Sequence, residues 1–231
     1  MSANLKSNYI SFKKEFESYC KERKSSAKLL AVSKTKPLAD IYSLLEEGQT
    51  LFGENYAQEL RDKNYDNITN HSKNLEWHYI GQIQKNKIKY IVGTSALIHT
   101  VDSYEKARLI DNLSKKNNFK QKILLQINIS DDPKKGGTRL DQTQNLVEKI
   151  KTLESVSLGG LMTITEFSEN PEESRKYYKE LKKLSLDLNS YFNHPPHLSM
   201  GMSNDYKIAI DEGATIVRIG SRIFGKRKKT L

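Results

Sequence analysis

The feature that most constrains this chain is the regular alternation, from residue 28 onward, of short apolar runs with longer amphipathic stretches. Each apolar run has the length and composition of a β-strand, and helical periodicity fills the intervals between the runs. Parallel strands must be joined by a crossover connection, which is usually a helix, so this order predicts a parallel sheet with helices packed outside it. The eight predicted strands are residues 28–33, 50–53, 76–80, 97–101, 122–129, 156–162, 197–199 and 215–219.

Eight such units within about 200 residues fit a closed (β/α)8 TIM-like barrel of minimal size. The barrel is expected to form one domain over residues 1–231, with an extra N-terminal helix inside residues 1–24. The alternative is an open doubly wound sheet, but no G-x-G-x-x-G motif follows the first strand. The remaining predicted helices are residues 38–47, 57–63, 86–92, 104–116, 140–153, 172–188 and 206–212.

Composition excludes several classes of protein. Cys20 is the only cysteine, so no disulfide framework and no cysteine-based metal site are expected. No run approaches the ~20 apolar residues that span a bilayer, and the N-terminus has no signal-peptide core, which predicts a cytoplasmic protein that does not bind membranes. The net charge of +10 raises the question of nucleic acid. However, the excess is mostly lysine, part of it lies in a basic tail at 226–231, and no specific nucleic-acid motif appears.

The first predicted strand ends in an unusual way. Its sequence is LLAVSKTKP, and strand alternation places Lys34 on the same side as Leu30 and Val32, where a buried strand leaves the core. Burial and the neighbouring charge of Lys36 both favour a neutral amine at Lys34, which is what a Schiff base to an aldehyde requires. The plainer interpretation is a charged residue that reaches water along its aliphatic stem. Both interpretations remain open on these residues alone.

Polar residues also follow the seventh and eighth strands. Barrels often hold a phosphate group between these two loops. Gly201 and Gly220 allow close approach of the backbone to a ligand, and Ser203 and Ser221 carry hydroxyl groups. The alternative is that the two glycines serve only the geometry of turns.

Taken together, seven segments closely resemble the YggS/PROSC family of pyridoxal phosphate homeostasis proteins. They occur in the family's order and spacing from about residue 29 to residue 225, and they are LLAVSKTKP, LFGENYAQE, LEWHYIGQIQKNK, ILLQINIS, GGLMTI, LSMGMSNDYKIAI and GATIVRIGSRIFG. The resemblance implies a single barrel similar to the N-terminal domain of alanine racemase. It also implies that pyridoxal 5′-phosphate (PLP) is bound through a lysine Schiff base.

The resemblance assigns a role to each matching residue. Lys34, and not Lys36, is the Schiff-base lysine, Asn55 lies near the pyridine ring, and Arg218 faces the pyridine nitrogen. The family also places a lysine after its fifth strand, but the run at 131–137 leaves open which lysine matches. The residues implied to bind the phosphate are Ser199, Gly201, Met202, Ser203, Gly220 and Ser221.

Two functions are compatible with these residues. An arginine does not readily protonate the pyridine nitrogen, so the ring is a weaker electron sink than in a transaminase. A racemase of the resembling type takes a tyrosine from a further domain, whereas Leu231 follows the eighth strand and one short helix. We therefore expect a PLP carrier that buffers cofactor and delivers it to apo PLP-dependent enzymes without robust turnover. An amino-acid racemase is the alternative. A barrel has no free sheet edge, which predicts a monomer.

Overall fold

The expected strands form a closed parallel barrel. A computed structural model of the chain describes residues 3–70, 75–132, 135–166, 168–192 and 194–225. Each strand pairs in parallel with its neighbour in the sequence, and the last strand pairs with the first. This arrangement confirms the predicted TIM-like barrel. The strands are β1 (Lys28–Val32), β2 (Leu51–Glu54), β3 (Glu76–Tyr79), β4 (Leu97–Val101), β5 (Gln121–Ile127), β6 (Val156–Thr163), β7 (His197–Met202) and β8 (Ile216–Ile219).

Helices fill the connections between strands, as the alternation predicts. Short 3-10 segments accompany them, at Lys85–Tyr90, Pro171–Ser174 and Asn189–Tyr191. Within the described ranges, no helix combines the length and apolar character needed to cross a membrane. The predicted basic tail at 226–231 lies outside the described residues. The helices are α1 (Ala3–Glu22), α2 (Leu38–Glu46), α3 (Ala57–Asn70), α4 (Tyr104–Lys116), α5 (Leu140–Lys151), α6 (Arg175–Asp187), α7 (Tyr206–Asp211) and α8 (Ser221–Phe224).

Three of the predicted helices differ from the observed elements, one of them only in its first turn, since residues 172–174 of the helix predicted at 172–188 belong to a 3-10 segment. The periodicity predicts an α-helix at residues 86–92, but the connection after β3 is the 3-10 segment Lys85–Tyr90. The helix predicted at 57–63 continues to Asn70, despite the low helix propensity of its asparagines. Within the predicted part of this helix, the Arg61 guanidinium lies 4.7 Å from the centre of the Tyr90 ring, which links α3 to the 3-10 segment.

The N-terminal helix packs against the two helices that follow the last two strands. Phe12 and Phe16 form part of the buried face of α1, and the ring of Phe12 lies 5.3 Å from that of Tyr206. The Tyr206 hydroxyl donates a hydrogen bond of 2.7 Å to Glu15, which also pairs with Arg222 in α8. α1 therefore holds α7 and α8, the two helices that follow β7 and β8, against one another.

Side chains along each strand point alternately to two apolar layers, one outside the barrel and one inside it. Most buried apolar residues fill the space between the barrel and its helices. A smaller apolar cluster fills the interior of the barrel, where Leu30 of β1 is buried and Val32 packs against it. Alternation also directs polar side chains into this interior. These are His78 of β3, His99 of β4, Ser199 of β7 and Arg218 of β8, all of them buried.

Candidate functional site

A cavity of about 380 Å³ opens at the carboxyl ends of the strands. It lies where a TIM-type barrel carries its active site, since the loops after the strands converge there. Nonpolar side chains from β1 and from the ends of β3 and β6 line part of its wall. Seven of the nine residues predicted from the sequence also line it, namely Lys34, Asn55, Met202, Ser203, Arg218, Gly220 and Ser221.

The other two predicted residues, Ser199 and Gly201, are buried and do not line the cavity. Gly201 has a φ of +88°, and a Cβ built on it would lie 2.4 Å from the Cβ of Ala209. β7 shifts its register against β8 between Ser199 and Met202. The glycine is thus needed for the bend that turns Met202 and Ser203 toward the cavity. Ser199 and Gly201 lie behind the cavity wall, and their predicted contact with a cofactor stays a prediction.

The backbone that carries Lys34 is fixed on both sides. Ser33 donates a hydrogen bond of 2.6 Å from its hydroxyl to Glu54 Oε1. Thr35 has a φ of +64°, in the left-handed region that a β-branched residue rarely adopts, and its N–H donates to Glu59 Oε1 at 2.7 Å. Strain of this kind persists only where the surroundings hold it. The arrangement restricts where the Lys34 side chain enters the cavity.

A buried ion pair supports this turn from behind. Lys63 Nζ lies 2.7 Å from Glu54 Oε1 and 2.7 Å from Glu59 Oε1, and it donates a third hydrogen bond of 3.0 Å to the Ser33 carbonyl. Burial raises the pKa of Glu54, while the ammonium of Lys63 opposes that rise. The sequence does not predict this ion pair, because the groups that surround the Lys63 ammonium come from separate elements of the fold.

Removal of Lys63 is expected to destabilise the protein strongly. Lys63→Met leaves the fully buried carboxylate of Glu54 without its counter-charge, so the free energy of unfolding should fall by about 3–5 kcal/mol. Urea unfolding followed by circular dichroism measures the loss. Lys85→Met is the matched control, because the Lys85–Glu105 pair is exposed and should contribute little. Equal midpoints for the two variants would contradict a supporting role for Lys63.

Asn55 is held at the cavity wall by a close backbone contact. A Cβ built on Gly81 would lie 1.8 Å from the Asn55 carbonyl oxygen, so only glycine permits this approach. The buried Oδ1 of Asn55 has no hydrogen-bond partner among the described residues. Buried polar atoms are seldom left unpaired, and one that belongs to a cavity-lining residue fits contact with a ligand.

Arg218 is a buried cation in the cavity wall. It is 5% exposed, and it donates from Nη1 to Ser199 Oγ at 2.7 Å and from Nη2 to the Thr163 carbonyl at 2.8 Å. In the described part of the chain no carboxylate forms an ion pair with it. Burial lowers the pKa of Arg218, but a guanidinium keeps its proton in proteins. A buried charge of this kind favours an electron-rich atom in the cavity beside it.

Asp205 organises the loop that follows β7. Its Oδ1 accepts a 2.7 Å hydrogen bond from the N–H of Met202, and its Oδ2 accepts hydrogen bonds from Tyr178 at 2.6 Å and Ser174 at 3.1 Å. Burial, together with this carboxylate, raises the pKa of Tyr178. The Tyr178 hydroxyl is therefore committed to Asp205. The position of Ser203 in the cavity wall follows from this buried cluster, which sequence reasoning also missed.

The lysines predicted near the site have different surroundings. Lys36 donates a hydrogen bond of 3.3 Å to the Phe224 carbonyl, and its ammonium lies 5.8 Å from the centre of the Phe224 ring. Lys36 thus ties the loop after β1 to the end of α8. Of the lysines after β5, Lys135 lies 3.9 Å from Asp132 and does not line the cavity. Lys134 lies outside the described residues.

Comparison with known proteins identifies the same fold and the same group of relatives. A family model described as the alanine racemase N-terminal domain matches residues 4–228. The pyridoxal phosphate homeostasis protein of Aquifex aeolicus is 43% identical, with 87% of this chain and 88% of that protein aligned. The protein of the same name from Haemophilus influenzae is 36% identical, with 97% and 96% aligned.

Solved structures agree with this comparison. PipY of Synechococcus elongatus, solved with PLP bound, has a TM-score of 0.79 and 30% identity, with 87% of this chain and 93% of that chain aligned. An alanine racemase of Clostridium difficile has a TM-score of 0.72 at 16% identity. That match covers 99% of this chain but 58% of the racemase, and it establishes the barrel fold alone.

Proposed function

The chain belongs to the pyridoxal phosphate homeostasis proteins, within the alanine racemase N-terminal domain family, and we propose that it binds PLP and holds it for use elsewhere. The observation that carries this proposal is the pairing of Lys34 with the buried, carboxylate-free Arg218 in one cavity. PLP offers an aldehyde to an amine, a dianionic phosphate to hydrogen-bond donors and a ring nitrogen to a further donor. The cavity contains a group for each.

The side chains of the cavity offer the types of chemical group that PLP requires. Lys34 supplies the amine that bonds the aldehyde, and Arg218 supplies a donor for the ring nitrogen. Asn55 offers a buried amide whose oxygen lacks a protein partner among the described residues. The hydroxyls of Ser203 and Ser221, with backbone N–H groups beside Gly220, are the proposed phosphate donors.

The surroundings of these groups favour storage of the cofactor over catalysis. When bound, PLP can stabilise negative charge on a carbon atom of an amino acid, and it does so best with a protonated ring nitrogen. Arg218 donates a hydrogen bond but does not release a proton, so the ring nitrogen remains unprotonated. The wall of the cavity therefore limits the main catalytic power of the cofactor while retaining tight binding.

A racemase also needs a second acid/base group opposite the lysine. None of the described residues that line the cavity is a tyrosine. Tyr178 lies behind the wall, and its hydroxyl donates to Asp205 at 2.6 Å. This placement supports the carrier over the racemase. We further propose that the chain acts as a cytoplasmic monomer that delivers PLP to apo PLP-dependent enzymes, since a closed barrel leaves no sheet edge for pairing with another chain.

The carrier and the racemase are separated by exchange of the Cα proton of amino acids with deuterium from solvent. We expect the PLP-loaded protein to exchange this proton no faster than free PLP does, for a panel of common amino acids. Racemisation needs two positioned acid/base groups, each typically worth 10²–10⁴-fold in rate, and the described cavity wall offers no tyrosine opposite Lys34. Proton NMR in deuterium oxide measures the exchange.

The control in this assay is Lys34→Ala, loaded with the same amount of PLP. Exchange faster than about 1 s⁻¹, which lies in the ordinary range of enzyme turnover, and lost in the variant would establish an enzyme. Equal slow exchange in both proteins supports the carrier.

A further inference from the structure

A chain of hydrogen bonds runs through the interior of the barrel from the cavity to the opposite opening. Arg218 Nη1 donates to Ser199 Oγ at 2.7 Å, and Ser199 Oγ lies 2.9 Å from His99 Nδ1. His99 Nε2 lies 2.9 Å from His78 Nδ1, and His78 Nε2 lies 3.0 Å from Glu76 Oε1. Glu76 is the first residue of β3, and its side chain is about half exposed at the amino-terminal end of the barrel.

When both imidazoles are neutral, only one arrangement of their protons gives every donor in this series of hydrogen bonds an acceptor. Glu76 is a carboxylate and can only accept, so His78 carries its proton on Nε2 and accepts at Nδ1. His99 must then carry its proton on Nε2 and accept at Nδ1 from the Ser199 hydroxyl. Ser199 keeps a lone pair for Arg218. The donors all point from the cavity toward Glu76, and the guanidinium of Arg218 is fixed by this order.

Protonation of His78 reverses this order. A doubly protonated His78 donates both to Glu76 and to His99 Nε2, so the proton of His99 must move to Nδ1. His99 then donates to Ser199 Oγ, which already accepts from Arg218. The hydroxyl hydrogen of Ser199 loses its acceptor inside the barrel, where an unpaired donor is unfavourable. The hydrogen bonding that keeps the Arg218 guanidinium in position is weaker in this state.

The groups around the two imidazoles disfavour a charged His99, whereas His78 contacts the carboxylate of Glu76. His99 is fully buried, and burial together with the charges of His78, Arg218 and His197 holds the pKa of His99 well below its usual value. The amino-terminal opening brings together further groups around Glu76 and His197. These are Lys28 from β1 and Lys122 from β5, whose positive charges oppose protonation of their neighbours, while Glu76 favours it.

We propose that His99 and His78 are positioning residues that orient Arg218 in the cavity and that transmit the protonation state of His78, at the far end of the barrel, to the cofactor site. The effect on the cofactor rests on the proposed binding of PLP, whereas the proton positions do not. The consequence for PLP is tighter binding when His78 is neutral and weaker binding when it is charged.

Nitrogen-15 NMR of the histidine-labelled, cofactor-free protein tests the proton positions directly. Nitrogens that carry a proton resonate far from those with a lone pair, so each tautomer can be identified. Signals are assigned by their loss in His78→Gln and His99→Gln. We expect Nε2–H on both residues near pH 8, and movement of the His99 proton to Nδ1 as His78 is protonated. Nδ1–H on His99 near pH 8 would overturn the proposal, with PLP binding unaffected.

PLP affinity across pH tests the link to the cavity. Imidazoles titrate between about pH 8 and pH 5. Over this range the affinity of the unmodified protein for PLP should fall about tenfold further than that of His78→Gln. This difference is the scale of one charge-assisted hydrogen bond. His197→Gln is the control: the variant removes a nearby imidazole that is not a member of the hydrogen-bond chain from Arg218 to Glu76, and the unmodified pH profile should persist. If His78→Gln showed the same pH profile as the unmodified protein, the proposed link between His78 and the cavity would be overturned. Absence of PLP binding in every protein would instead defeat the proposed function.

Discussion

Lys34→Ala is expected to abolish the imine absorption of bound PLP and the adduct that borohydride fixes to the protein. The reason is geometric. Lys34 lines the cavity at the end of β1, and the ion pair of Lys63 with Glu54 holds the turn that carries it. The described wall contains only one other lysine, Lys36, whose ammonium is bonded to the Phe224 carbonyl. Absorption spectra and mass spectrometry after reduction measure both effects.

Lys36→Ala is the matched control, because it removes the same functional group two residues away in the same loop. This variant should keep the covalent adduct and change only the affinity for PLP, since the tie between the loop after β1 and α8 is lost. Peptide mapping of the reduced, unmodified protein identifies the bonded residue. An adduct on Lys36 would show that the cofactor amine has been assigned to the wrong residue.

The fold could be predicted because its signal is local and repeated. Each strand of the barrel is buried on both faces, so it is a short apolar run bounded by turn residues, and this pattern occurs eight times. The errors lie in the connections between strands. α3 extends past Lys63 along a sequence with weak helix propensity, and the connection after β3 is 3-10 rather than α-helical.

The lining of the cavity could be predicted because it follows the strand ends, whereas its support could not. Lys34, Asn55 and Arg218 each lie at or just beyond the end of a predicted strand. The groups that hold them have partners far away in the sequence. Lys63 bonds to Ser33 across 30 positions, and His99 bonds to Ser199 across 100. Periodicity within one segment carries no information about such pairs.

One signal for the missed histidine is nevertheless present in the sequence. In β4 the alternation directs Leu97 and His99 to the same side, and Leu97 belongs to the apolar interior of the barrel. A histidine at an inward position of a fully buried strand requires a partner. His78 in β3 occupies the equivalent place two residues before Ile80. Two inward histidines on neighbouring strands are thus a pattern that indicates mutual contact.

Loss of the phosphate group is expected to reduce binding by orders of magnitude. Several charge-assisted hydrogen bonds, at about 1.5–3 kcal/mol each, would be lost between PLP and pyridoxal. Comparison of pyridoxine 5′-phosphate with pyridoxine isolates this effect, because neither compound carries the aldehyde that bonds Lys34. Isothermal titration calorimetry measures both affinities, and inorganic phosphate should compete with the phosphorylated compound.

The proposed donors can be tested within the same comparison. Ser203→Ala and Ser221→Ala should each weaken binding of the phosphorylated compound by about tenfold, the scale of one charge-assisted hydrogen bond, and leave pyridoxine unaffected. Ser168→Ala is the control, since Ser168 lines the same cavity while its hydroxyl accepts from the Asn170 N–H. Equal affinities for the two compounds would remove the loops after β7 and β8 from the phosphate site.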